Sequence, residues 1–147
     1  MKVPAISTLI LALVSLSCSS ATDAGPRSTA TIELLSGGNQ TVTVNASGPG
    51  LHDLPEPVVV YVEDNGTPVV KGTVRVAVSM NGAPGSNGPY YFVTGADGRA
   101  SMNFQVSNIV GPFRIDVSYV VCETWGLFSC DRFGTRATVS ATGTAVL

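Results

Sequence analysis

The chain has 147 residues, one domain's worth of sequence, of which 12% are charged. From Cys18 onward seven cationic side chains stand against ten acidic ones, a net of −3. So sparse and weakly acidic a charge offers no stripe to neutralise phosphates and no polybasic footprint, which excludes nucleic acid and electrostatic lipid binding as expected partners.

The first element in chain order is a leader, MKVPAISTLILALVSLSC. Lys2 precedes a mostly apolar run from Val3 to Leu16, too short to span a bilayer with comfort and about right for a signal-peptide core. The chain is therefore expected to be exported. Two cuts compete. VSLSC resembles a bacterial lipobox, with cleavage after residue 17 and lipid on Cys18, although Ser15 stands where Leu is preferred. A signal peptidase cut after Ala21 also fits, because Ser19 and Ala21 satisfy the small-x-small rule. Either cut resolves the odd cysteine count, leaving Cys122 and Cys130 as a pair in an oxidising compartment. Residues 18–28 are small and polar and read as a flexible tether, with the domain occupying 29–147. The location is a bacterial cell envelope or outer membrane if Cys18 is acylated, and the secreted fraction otherwise.

Strand-like runs then recur with turn residues between them. TATIELL (29–35) and QTVTVNA (40–46) come first. PVVVYVED (57–64) puts Val58, Val60 and Val62 on one face, and TVRVAVS (73–79) does the same with Val74, Val76 and Val78. YYFVT (90–94) follows a Gly/Pro/Asn-rich loop. RASMNFQVS (99–107) aligns Ala100, Met102, Phe104 and Val106, and FRIDVSYVV (113–121) aligns Phe113, Ile115, Val117 and Tyr119. TRATVSATGTAVL (135–147) comes last, with Ala137, Val139 and Ala141 on one side. Seven or eight strands with no helical stripe make an all-β sandwich pattern. Pro55 and Pro57 lack the N–H a ladder needs and so mark the start of the third run; Asp64-Asn65-Gly66 marks its end.

The order of three segments carries a resemblance: LPEPVVVYVEDNGTPVVKGTVRVAV, then VTGADGRASMNFQV, then GPFRIDVSYV. Together residues 40–121 resemble a bacterial immunoglobulin-like domain of group 1, the invasin/intimin type. The turn at Asp64 is one residue shorter than that pattern, and residues 122–134 add a hairpin tip the pattern does not require. The resemblance implies an immunoglobulin-like β-sandwich of seven to eight strands, Greek-key type, used as a spacer or adhesive module on a bacterial surface.

Cys122 and Cys130 flank ETWGLFS, and export permits a disulfide between them. Such a staple would present Trp125, Leu127 and Phe128 for protein interaction; the competing reading folds Trp125 and Phe128 back over the end of the sandwich. A second functional reading makes a glycan surface from Trp125 with Tyr90 and Tyr91. Catalysis is not expected. His52 is the sole histidine, no G-x-S-x-G elbow is present, and Glu56, Glu63, Asp64, Asp97 and Asp116 read as surface charge. No metal or cofactor is expected: two cysteines make no zinc site without further ligands, and Asp64, Asn65 and Asp97 show no D-x-D-x-D spacing for calcium.

Overall fold

A computed structural model describes residues 29–147 except 46, 48, 49, 86, 87 and 128. The leader, Cys18, the tether and Phe128 thus lie outside the described residues. All regular structure among those described is extended, in twelve segments. These are β1 (Thr31–Ser36), β2 (Gln40–Thr43), β3 (Leu51–Asp53), β4 (Val58–Asp64), β5 (Thr67–Pro68) and β6 (Thr73–Met80). The others are β7 (Ala83–Pro84), β8 (Tyr90–Val93), β9 (Arg99–Met102), β10 (Gln105–Ser107), β11 (Gly111–Trp125) and β12 (Cys130–Val146). Each of the eight runs read from the sequence corresponds to at least one segment. The remaining segments are short bridges, and one run is divided: RASMNFQVS pairs with β4 through β9, then with β3 through β10.

One sheet centres on β4, with β1 on one side and β9 and β5 on the other. The facing sheet runs β2-β12-β11-β6, with β8 and β7 on the outer edge of β6. Every pairing is antiparallel except β2 on β12, which is parallel. The chain crosses between these sheets after β1, after β2 by way of β3, after β5, after β8 and after β9 by way of β10, with β3 and β10 paired as a separate two-stranded ladder, the repeated crossing of a Greek-key, immunoglobulin-like β-sandwich.

Period-two valines make the layer between the sheets. Val58, Val60 and Val62 of β4 are fully buried, as are Val74 and Val76 of β6 and Ile115 and Val117 of β11. Each such side chain stabilises by about 1.5–3 kcal/mol relative to exposure, as an upper estimate. The turns follow from their residues. Asn65 (φ 54°) and Gly66 (φ 73°) both lie in the left-handed region between β4 and β5, the two-residue turn whose twist suits a hairpin. Asn81 and Gly82 repeat it between β6 and β7.

Two buried polar side chains complete the ladders. The amide of Gln40 donates to the carbonyls of Gly37 and Glu56, and its oxygen accepts the Glu56 N–H at 2.9 Å. It thereby pairs the backbone on the stretch where Pro55 and Pro57 interrupt the supply of donors. Thr94 does similar work at the start of β6: its hydroxyl accepts the Gly72 N–H at 2.8 Å and donates to the Val69 carbonyl.

The two ends of the sandwich differ. Thr31 opposes Glu63, and the Thr29 hydroxyl donates to Asp64 at 2.7 Å, so the chain enters where β4 finishes and β6 begins. The opposite end carries the Asn81-Gly82 turn, where Met80 opposes Phe113.

Candidate functional site: a stapled hairpin arm

The expected hairpin tip is the end of a longer arm. β11 pairs with β6 only as far as Val120 opposite Thr73, and β12 meets β2 only near its other end. Beyond Val120, among the described residues, the two long strands pair only with each other, from Val121 opposite Gly134 to Trp125 opposite Cys130. Register shifts at Tyr119/Val120, Cys122/Thr124 and Thr124/Trp125 interrupt the ladder. Extra residues of this kind bend a ribbon and increase its twist.

Cys122 and Cys130 form a disulfide with Cα atoms 5.7 Å apart, within the ordinary range for such a bond. The tip closes with the Gly126 N–H donating to the Ser129 carbonyl at 2.8 Å. Across the ribbon, Glu123 meets Arg132 at 3.5 Å and Arg136 at 3.8 Å. All three side chains are more than a third exposed, so these pairs orient the ribbon more than they stabilise it.

Trp125 is 75% exposed and Leu127 94% exposed. The folding-back alternative is therefore incorrect for Trp125. Phe133, which the sequence reading passed over, makes the contact with the body instead: its ring stacks on Tyr91 with centroids 5.3 Å apart and planes tilted by 30°. Tyr91 opposes Arg75 while Phe92 opposes core-facing Val74, so Tyr91 stands on the outer face of its sheet. The arm accordingly curls toward that face. Val120 is buried there too, although its register partner Thr73 points away from the inter-sheet core. Ser118, which alternation on β11 turns away from the inter-sheet core, is buried on the same side and shares a 3.0 Å hydrogen bond with Thr138.

The other residues singled out from the sequence do not converge. Tyr90 turns to the core side and meets Phe104 edge-on at 6.3 Å, so Tyr90 and Tyr91 lie on opposite faces and share no platform with Trp125. His52 is half-buried in β3 opposite Val106, and its Nε2 accepts the Asn45 N–H at 3.3 Å. Asp116 binds Arg114 at 2.6 Å and accepts the Ser140 hydroxyl, Asp97 accepts the Arg99 N–H, and Asp64 accepts from Thr29. Among the described residues no group of three His, Cys, Asp or Glu side chains stands close enough to hold a metal ion. Burial raises the Tyr119 pKa above its usual value, and the negative charge of Asp64 adds to that direction.

A concavity lies at the opposite end, beside β10 and the β6–β7 turn. It has a volume of about 660 Å³ and an apolar lining that includes Val78, Met80, Phe92, Phe104 and Ile109. At its rim Gln105 donates to Asp53 at 2.9 Å.

No known family matches the sequence, and no curated protein matches it. Among solved structures the chain is similar to the CARDB domain of a Pyrococcus furiosus protein, solved in complex with di-metal ions. The two are 16% identical, the match covers 82% of this chain and 94% of that one, and the TM-score is 0.39.

Proposed function

We propose that the chain is a non-catalytic cell-envelope module of the group 1 bacterial immunoglobulin-like kind, tethered through Cys18, whose contact surface is the tip of the β11–β12 arm. One observation carries this reading. Two large apolar side chains, Trp125 and Leu127, stand almost free of the protein on a disulfide-closed tip. Exposed apolar side chains on a rigid element favour binding, because little conformational entropy remains to be lost when a partner covers them. Among the described residues, Asp116 is engaged by Arg114, Asp97 by the Arg99 N–H and His52 by the Asn45 N–H, which favours a binding role over a catalytic one.

The test places a photo-crosslinking side chain at position 127 in the intact envelope, with a control at position 41 on β2. Cross-links from 127 that disappear in Trp125→Ala, with none from 41, support the tip. Equal labelling from both positions, or labelling indifferent to Trp125→Ala, contradicts it. The tether has its own readout: the intact mass of the mature protein, wild type and Cys18→Ser, shows whether lipid is attached.

A further inference from the structure

We infer that the partner of the arm tip is the bilayer surface itself, with Trp125 and Leu127 dipping into the lipid interface on the side from which the chain is tethered. This rests on the preceding reading of the tip as the contact surface and names what it contacts.

The argument begins from direction. The first described residues meet β4 at its end, through Thr31 opposite Glu63 and Thr29 on Asp64. The arm leaves the sandwich at that same end, because its last rung with β6 is Val120 opposite Thr73, the first residue of β6. The first described residues and the root of the arm therefore share an end of the body. An anchor at Cys18 would place Trp125 and Leu127 on the membrane side, not on the side facing away.

Length agrees with direction. From Cys18 to Thr29 the backbone can extend to at most about 40 Å. The half-arm from Val121 to Gly126 rises at most about 17 Å at strand geometry. The tether is thus long enough to let the tip reach the bilayer without strain.

Chemistry agrees as well. Between Val121 and Arg136 the charges are Glu123, Asp131, Arg132 and Arg136, which cancel, and Glu123 already engages both arginines. Nothing in the arm's net charge repels an anionic bilayer. What remains outermost is an indole and a branched aliphatic side chain. Indole prefers the interfacial layer, where an apolar body and a polar N–H can both be satisfied. Two side chains bind lipid only weakly from solution. Tethering turns that weak contact into an intramolecular one at high effective concentration, which is how a second signal supplements a lipid anchor.

Trp125 is the only tryptophan in the chain, so its emission reports the tip alone. The mature full chain is reconstituted by its anchor into vesicles of phosphatidylethanolamine and phosphatidylglycerol, with and without brominated acyl chains. The expected result is a blue-shifted Trp125 emission that brominated lipid quenches. Leu127→Glu, at a position 94% exposed, should reverse the shift and the quenching while the disulfide and far-ultraviolet circular dichroism stay unchanged. Emission of a water-exposed indole, unquenched in vesicles that float with the protein, overturns the membrane assignment; so does quenching that survives Leu127→Glu. A negative lipid result alongside tip-specific cross-links to a protein overturns this inference and leaves the tip as the contact surface. Failure of both measurements removes the tip from the account altogether.

Discussion

The body and the arm are built from the same two strands, yet different physics holds each. Between Gly111 and Val120, β11 lies between β6 and β12 and its inward residues Phe113, Ile115 and Val117 are sealed in the inter-sheet layer. Beyond Val120 no third strand among the described residues pairs with the ribbon. Its order comes from one disulfide, one aromatic stack and one exposed ion-pair cluster. An isolated two-stranded ribbon is marginal in water, which is why a staple belongs here and nowhere in the body. Hydrophobic burial makes the body; covalent and local contacts make the arm.

The largest effect that could break this contrast lies in the body. Ile115→Ala should cost about 2–5 kcal/mol of unfolding free energy in denaturant titration. A loss below 1 kcal/mol, well short of any fully buried site, would mean that the inter-sheet layer is not what holds the fold. Next in size is the paired change Cys122→Ser with Cys130→Ser. Closing so short a loop contributes about 2–3 kcal/mol in the chain-entropy view. If arm and body are held separately, the denaturation of the body should shift by less than that, while limited proteolysis cuts within 121–134. Loss of the whole fold on reduction would erase the distinction.

Smaller still is the tie between the two regions. A double-mutant cycle on Tyr91→Ala and Phe133→Ala should give a coupling of about 0.5–1.5 kcal/mol. Zero coupling would leave the arm undocked. The smallest effect concerns Tyr119, whose raised pKa means the folded state holds that proton more tightly than the unfolded state. Its contribution is intact below about pH 10 and fades as pH rises through the folded pKa. Alkaline titration should therefore destabilise the wild type slightly more than Tyr119→Phe, and identical alkaline profiles would contradict the burial of that hydroxyl.

The valine faces of β4 and β6 were legible because strict alternation leaves only one way to bury them. Alternation says nothing about partners, however. From Met102 through Phe104 to Val106 the buried face continues unbroken while the backbone leaves β4 for β3, so periodicity read one strand where two ladders exist. Gln40 looked like an ordinary polar strand residue. Its role depends on Glu56, far along the chain and flanked by prolines. The parallel pairing of β2 with β12 joins residues about a hundred positions apart and leaves no local trace.

At the arm, the cysteine pair could be read from spacing, whereas the exposure of Trp125 could not, because the sequence left folding back over the sandwich end open. The contact of Phe133 with Tyr91 could not, because it depends on how the bulges near Val120 turn the ribbon. That the first described residues and the root of the arm share one end was equally hidden, since it follows from register on separate strands.

That shared end is the claim most directly open to measurement. Energy transfer from Trp125, the sole tryptophan, to an acceptor attached at position 29 can be compared with transfer to the same acceptor at position 83, beside the opposite turn. Stronger transfer to position 29 is the predicted result. Equal transfer, or stronger transfer to position 83, would contradict the account.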